Sequence, residues 1–183
     1  IAMTGYPESL TDPSYSGQLM VLTYPLVGNY GVPPRTFEAN GLATFMESEK
    51  IHAEAIIVSD YSFEYSHWNA VERRGSWLKD EKVAGIYGID TRELTKLLRE
   101  KGSMKGKIVF DAADEIDFVD PNLINQVDIV SCKEVITYGN GSKKVVLVDC
   151  GVKHNIIRCL LKRDVTVIRV PWNYDFTNME YDG

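Results

Sequence analysis

The feature that most constrains the fold is a pair of apolar runs that flank an amphipathic segment near the carboxyl terminus. Residues 145–148 form one continuous apolar run, and residues 165–170 form the second. Between them, residues 154–163 place apolar side chains at positions i and i+4, which predicts a helix. Continuous apolar strands are typical of parallel sheets that are covered on both faces. The pattern therefore predicts a βαβ unit and an α/β fold.

The two ends of the sequence lead to an expectation about its extent. One βαβ unit cannot cover both faces of its own strands, so we expect residues 145–183 to open a larger α/β domain. The chain begins with Ile1 rather than methionine and stops at Gly183. We expect both ends to continue in a longer protein.

The first three quarters of the chain predict shorter elements separated by turns. Strands are expected at residues 18–24, 51–59, 83–89 and 107–110, and short helices at 37–50 and 76–82. The clearest helix covers residues 90–101, because Asp90 can cap it, Glu93 completes a capping-box pattern and Gly102 follows its end. Polar residues and glycines at 135–144 predict a linker.

Charge and composition exclude several classes of protein. The chain has 183 residues, with 20 basic and 26 acidic ones, giving a net charge of −6. This acidic balance argues against a nucleic-acid partner, because backbone phosphates require a basic surface. Three cysteines without CxxC spacing favour a reducing cytoplasm over a disulfide framework. No apolar run approaches the roughly 18–20 residues of a membrane span, so no membrane partner is expected.

Two sequence clusters resemble metal sites but favour structural interpretations. The acidic residues Asp111, Asp114, Glu115 and Asp117 lack the glycine and the terminal glutamate of an EF-hand, which indicates a solvated loop. Elsewhere His154 lies between Cys150 and Cys159, a spacing open to metal or thiol chemistry. Since both cysteines lie in apolar stretches, we expect buried structural thiols there and no metal.

Two turns are candidate ligand sites. The strand-to-helix turn at residues 149–154 is a place where an anion can meet a helix N-terminus, but it has one glycine and no nucleotide-binding motif. The second turn, Asp12-Pro13-Ser14-Tyr15, is rich in hydroxyls and turn formers. Physics alone leaves it open whether Ser14 belongs to an ordinary capped turn or contacts a small polar ligand.

Several longer blocks carry a resemblance to a known family. They are MTGYPE and LTDPSY within residues 3–15, YPLVGNYG at 24–31, GIDTRELT and LREKG within 88–102, and DCGVK with NIIR within 149–158. In this order they resemble the small subunit of glutamine-hydrolysing carbamoyl-phosphate synthase. The resemblance implies two parts: a β-rich small-subunit domain at residues 1–141 whose first strand is missing, and the truncated start of a flavodoxin-like glutamine amidotransferase domain at 142–183.

The resemblance also implies a function. The small subunit of this family hydrolyses glutamine to glutamate and ammonia, and the large subunit uses that ammonia with ATP and Mg²⁺ to make carbamoyl phosphate for arginine and pyrimidine synthesis. The large subunit and L-glutamine are the implied partners, and no cofactor is expected in this chain. Ser14 matches a family serine that contacts glutamine, so Ser14 is the one substrate-binding residue assigned.

The sequence departs from the family pattern at the catalytic centre. None of the three cysteines occupies the position of the family nucleophile, and the catalytic Cys–His–Glu set is not matched. No catalytic residue is therefore assigned, and we expect this stretch to be inactive by itself. A non-catalytic docking module for the large subunit is the alternative. An independent nucleotide-binding protein using the turn at 149–154 is a third hypothesis.

Overall fold

A computed structural model of the chain describes residues 6–111 and 115–183. Asp114 of the acidic cluster and residues 3–5 of the first family block lie outside the described residues. The elements run in the order α1 Tyr6–Leu10, β1 Leu19–Val27, β2 Ala55–Tyr61, α2 Arg74–Asp80, β3 Ala84–Ile86, α3 Thr91–Lys101, α4 Gln126–Val130, β4 Ile136–Tyr138, β5 Lys143–Asp149, α5 His154–Leu161 and β6 Val165–Pro171, with 3₁₀ turns at Pro13–Tyr15 and Pro121–Leu123. The mixture of parallel strands and helices confirms the predicted α/β class.

The described residues form two compact units. Unit 1 comprises Tyr6, Gly17–Val32 and the described part of Ala53–Asn125. Unit 2 comprises Pro7–Ser16, Pro33–His52 and Gln126–Gly183. The domain boundary expected between residues 141 and 142 remains a prediction.

Unit 1 contains a parallel sheet in the order β1-β2-β3. Its strands and helices bury a core that includes Leu22, Ile56 and Trp77. Helix α3 begins as predicted, with the Asp90 carboxylate accepting the N–H of Glu93 at 2.9 Å, and Gly102 follows its last residue. The predicted capping box is not completed, because the Glu93 carboxylate pairs with Lys96 on the helix surface.

Unit 2 contains the predicted βαβ unit. Strands β5 and β6 are parallel and fully in register from Lys143–Val165 to Asp149–Pro171, with α5 as the crossover helix. Strand β4 adds an antiparallel edge, giving the sheet order β4-β6-β5. The core of this unit is built from residues on the strands, the helix and two loops: Leu42, Tyr138, Val152, Ile157 and Val167.

The helix predicted at residues 37–50 is wrong. The Asn40 side chain accepts the N–H of Leu42 at 3.0 Å, and Gly41 has a φ of 84°. Phe37 and Ala43 then form an antiparallel bridge. A short polar side chain that bonds to the nearby backbone competes with helix formation, and here it selects a tight turn.

Two further expectations differ from the structure. The strand predicted at residues 107–110 is absent from the described strands, because no neighbouring segment forms a ladder with it. The predicted linker at 135–144 contains β4, and its glycines are packed against the fold. A Cβ on Gly141 would lie 2.0 Å from the carbonyl oxygen of Asp164. Close backbone approach, rather than flexibility, explains this glycine.

None of the helices in the described part of the chain is long and apolar enough to cross a membrane.

Candidate functional site

The turn that carries Ser14 is held by the residue that precedes it. Asp12 caps the 3₁₀ turn, and its Oδ1 atom accepts the N–H of Ser14 at 2.9 Å. Pro13 supplies the restricted φ that such a turn requires. Asp12 and Pro13 are buried, whereas Ser14 is exposed. A rigid backbone thus presents the Ser14 side chain at the surface of unit 2.

An ion pair connects the Ser14 turn to the first βα turn of the sheet. Lys153 Nζ lies 2.8 Å from Asp12 Oδ2. Burial raises the pKa of Asp12, but the hydrogen bonds from Lys153 and Ser14 outweigh burial and hold this pKa below its usual value. The hydrogen bond to Asp12 raises the pKa of Lys153 in turn. Both partners therefore stay charged at neutral pH, and the contact persists there.

A second connection runs through buried Thr11 and the loop at Glu47. The Thr11 hydroxyl accepts the N–H of Glu47 at 2.9 Å, and Ser48 Oγ donates to the Thr11 carbonyl at 2.6 Å. The carbonyl of Glu47 accepts the N–H of His154 at 2.9 Å, and its carboxylate accepts the N–H of Asn155 at 2.9 Å. Glu47 thereby satisfies two free N–H groups in the first turn of α5.

Asp149 is the central acceptor at the carboxyl end of β5. Its Oδ1 accepts the N–H groups of Gly151 at 2.9 Å and Val152 at 2.8 Å. Its Oδ2 accepts the N–H of Cys132 at 2.7 Å and lies 2.6 Å from Arg169 Nη2. Burial raises the pKa of Asp149, but these donors outweigh burial and lower it. With its oxygens occupied, Asp149 is a structural carboxylate rather than a general base.

These contacts bear directly on the anion site suggested at residues 149–154. The N–H groups of Gly151 and Val152 already bind the Asp149 carboxylate, and those of His154 and Asn155 bind Glu47. The donors that a phosphate would need are therefore used by carboxylates of the same chain. This arrangement argues against the third hypothesis, a nucleotide-binding protein.

A cavity of about 450 Å³ adjoins the Ser14 turn within unit 2. Pro13 forms part of its wall, next to Ser14. Basic and acidic side chains both line it, including Lys50, Lys133 and Glu134. A lining of both signs suits a ligand that carries both charges better than a ligand of one sign.

The cysteines differ from their predicted environments. Cys150 and Cys159 are exposed free thiols, so the expectation of buried structural thiols is wrong for both. Cys150 lies in the turn after β5, and Cys159 lies on the outer side of α5. Cys132 is half-buried beside the cavity, and burial raises the pKa of its thiol. A raised pKa leaves little thiolate at neutral pH, which makes Cys132 a poor nucleophile.

His154 has a structural environment. It is buried, its Nδ1 atom accepts the N–H of Ala43 at 3.2 Å, and its Nε2 atom lies 3.2 Å from the Glu49 carboxylate. The hydrogen bond from His154 lowers the pKa of Glu49 to about 2. Within residues 6–111 and 115–183, no group of three His, Cys, Asp or Glu side chains is placed to hold a metal ion.

Several residues that shape the site were missed by sequence reasoning, notably Glu47, Asp149 as an acceptor and Arg169. The signal available in the sequence was Asp149 at the end of a predicted strand, with Gly151 two residues later. This pattern is typical of a capped βα turn. The partners themselves come from distant segments, so local patterns do not reveal them.

Comparison with known proteins identifies the family. Residues 1–108 match the family model described as carbamoyl-phosphate synthase small chain, CPSase domain. The chain belongs to this family. It is 51% identical over 181 residues to the human protein named carbamoyl-phosphate synthase (ammonia), mitochondrial, covering 98% of this chain and 12% of that protein. The resemblance carried by the sequence blocks is therefore confirmed.

Two other relatives differ widely in the share of their length that this chain covers. Multifunctional protein CAD of Squalus acanthias is 48% identical over 184 residues, which is 99% of this chain and 8% of that protein. The carbamoyl phosphate synthase arginine-specific small chain of Eremothecium gossypii is 47% identical over 190 residues, 100% of this chain and 48% of that protein. The chain thus spans about half of a separate small chain and about a tenth of the larger relatives.

Proposed function

We propose that this chain is the N-terminal region of a glutamine-dependent carbamoyl-phosphate synthase small chain, and that Ser14 contacts the substrate glutamine. In this proposal the complete protein releases ammonia from glutamine and delivers it to the large chain, which makes carbamoyl phosphate with ATP and Mg²⁺. The observation that supports the proposal is the exposed Ser14 on a turn held by Asp12 and Lys153. The sequence resemblance implies that Ser14 corresponds to the family serine that contacts glutamine.

The local geometry suits a hydroxyl that binds a polar ligand. The hydroxyl of Ser14 also hydrogen bonds to the Asp12 carboxylate, which orients it without burying it. A serine hydroxyl has one donor and two acceptor positions, so it can bind a ligand group while it keeps the bond to Asp12. The adjoining cavity has a lining of both charges, which is compatible with the zwitterionic end of an amino acid.

We also propose that the reacting thiol lies outside this chain. Hydrolysis of an amide through a thioester requires an activated thiolate with a neighbouring base. Cys132 has a raised pKa, and Cys150 and Cys159 lie exposed at positions that do not match the family nucleophile. The isolated chain is therefore proposed to lack glutaminase activity, and no residue in it is assigned a catalytic role. Its location in the cytoplasm stays a prediction, since the human relative is named mitochondrial.

A second candidate function follows from the names of other relatives. The human, mouse and rat relatives are named as synthases of the ammonia type. If this chain came from such a protein, it would act as a docking module for the synthase part, and Ser14 would not meet glutamine. The two candidates differ in the nitrogen source of the complete enzyme.

The test is the substitution Ser14→Ala in the complete synthase. Loss of one neutral hydrogen bond should weaken the binding of glutamine by about 0.5–1.5 kcal/mol, so the apparent KM for glutamine should rise roughly 2- to 12-fold. Ammonia-dependent synthesis should stay unchanged, because ammonia bypasses the glutamine site. Ser16→Ala, two residues along in the same turn, is the matched control and should leave both activities near the wild-type values.

Each result separates the candidates. The docking module is supported if the complete enzyme uses ammonia but not glutamine and if Ser14→Ala has no effect on it. An enzyme that uses glutamine with an unchanged KM in the variant removes Ser14 from the substrate site.

A further inference from the structure

Arg74 is a buried cation, and no carboxylate within residues 6–111 and 115–183 forms an ion pair with it. It is the first residue of α2, its relative exposure is 0%, and it lies in the interior of unit 1. None of its three guanidinium nitrogens has a hydrogen-bond partner among the described residues. A guanidinium carries five N–H donors and stays charged at neutral pH. Within the described residues, these five donors have no acceptor and the positive charge has no carboxylate beside it.

The environment of Arg74 compensates for its charge only in part. The guanidinium carbon lies 4.6 Å from the centre of the Tyr6 ring, which is a cation–π contact. Burial lowers the pKa of Arg74 to about 10. An aromatic face attracts a cation but accepts no conventional hydrogen bond from it. The donors therefore remain unsatisfied, which costs far more free energy than a paired buried charge does.

The hydroxyl of Tyr6 is a second unpartnered group at the same place. Tyr6 has a relative exposure of 1%, and its hydroxyl has no partner among the described residues. The two orphaned groups belong to one stacked pair, and both can donate. A ligand that satisfies both must accept hydrogen bonds, and one that also balances Arg74 must be negative. A water molecule meets the first requirement but not the second.

Tyr61 is half-buried and lies beside the start of α2. A Cβ on Gly75, the neighbour of Arg74, would lie 3.1 Å from the Tyr61 hydroxyl. Tyr61 is the last residue of β2, and its ring lies 5.0 Å from that of Phe63, which is 62% exposed. The carboxyl ends of parallel strands are the usual place for ligands in α/β folds.

We propose that unit 1 binds a small oxyanion at the guanidinium of Arg74 and the neighbouring hydroxyl of Tyr6. The fork of guanidinium N–H groups matches two oxygens of one anion, which favours an oxyanion over a halide. Phosphate, bicarbonate and acetate are small oxyanions with which this proposal can be tested. This site is built from other residues than the Ser14 turn, and it does not depend on the proposed function.

The test is the thermal stability of the chain as sodium phosphate replaces sodium chloride at constant pH and ionic strength. A ligand that binds the folded state stabilises it in a saturable way. The wild type should therefore show a saturable rise in Tm with phosphate, and isothermal titration should show heat that saturates at the same concentrations. Bicarbonate and acetate, tested in the same way, report which oxyanion fits best.

Three variants assign the effect to the site. Arg74→Leu should abolish the saturable part, and Tyr6→Phe should weaken the apparent affinity about 2- to 12-fold, as the loss of one hydrogen bond would. Arg99→Leu removes an exposed arginine from α3 and should leave the response unchanged. Far-ultraviolet circular dichroism checks folding, and Tyr6→Phe keeps the test valid if Arg74→Leu does not fold.

Two results would overturn the proposal. One is a phosphate response that is the same in the wild type, Arg74→Leu and Tyr6→Phe, since this would be a general salt effect. The other is a wild-type chain that shows neither a rise in Tm nor saturable heat with any of the three oxyanions.

Discussion

Single carboxylates hold the backbone of unit 2 around the Ser14 turn. Asp12 binds the turn itself, Glu47 binds the start of α5, and Asp149 binds the turn between β5 and α5. In each case a side-chain oxygen accepts backbone N–H groups that regular structure leaves free. Charged acceptors thus hold the backbone of this region in addition to apolar packing, to which Val152 contributes.

Asp149→Asn should destabilise unit 2 strongly. The substitution removes the charge opposite Arg169, which is only 7% exposed, and breaking one partner of a buried pair costs about 3–5 kcal/mol. Urea unfolding followed by circular dichroism should show this loss. Asp128→Asn is the control, because the Asp128–Lys133 pair is exposed to solvent and its loss should cost much less stability. Equal effects of the two substitutions would contradict the role given to Asp149.

At the scale of elements, helix α5 has two roles in unit 2. One face packs into the apolar core, and a polar side chain binds a neighbouring loop. Ile157 on its inner face is fully buried, and Ile156 beside it is 44% exposed. Arg158 binds the Glu38 carboxylate at 2.5 Å and the carbonyl of Ala43. Helix α5 therefore holds residues 38–43 as a loop. The local sequence predicts a helix for this segment, and that prediction is wrong.

Ile157→Ala should lower the free energy of unfolding by about 2–5 kcal/mol, because it leaves a cavity in a closed core. Ile156→Ala is a matched control in the same helix, and its effect should be much smaller because that side chain is already half in water. Thermal and urea unfolding of both variants measure the difference. A loss for Ile156→Ala as large as that for Ile157→Ala would show that the helix is rotated relative to this description.

At the scale of the whole molecule, acid stability reports on the contact between His154 and Glu49. The folded-state pKa of Glu49 is about 2, below the roughly 4.3 of an unfolded glutamate. A depressed carboxyl pKa stabilises the fold above the unfolded pKa, and this contribution is lost as the pH falls from about 5 towards 2. The wild type should therefore lose stability in this window faster than a variant without the carboxylate.

Glu49→Gln tests this dependence. The variant should be less stable than the wild type at pH 6, and the two should converge as the pH approaches 2. Denaturant unfolding at half-unit steps of pH gives the two curves, with Glu100→Gln on the exposed face of α3 as the control. A gap between wild type and Glu49→Gln that stays constant from pH 6 to pH 2 would exclude the carboxylate as its source.

The sequence by itself determined the features that depend on near neighbours. The βαβ unit and the cap of α3 at Asp90 follow from periodicity or spacing within a few residues. The family blocks were recognised by resemblance, from short runs of residues. The tertiary structure alone decided the pairs formed by distant segments, such as Glu49 with His154, 105 positions apart, and Cys132 with Asp149. It also decided that the guanidinium of Arg74 is buried without a hydrogen-bond partner in the described part of the chain. The physical reason is that hydrogen bonds and burial depend on distance in space, which local sequence patterns do not contain.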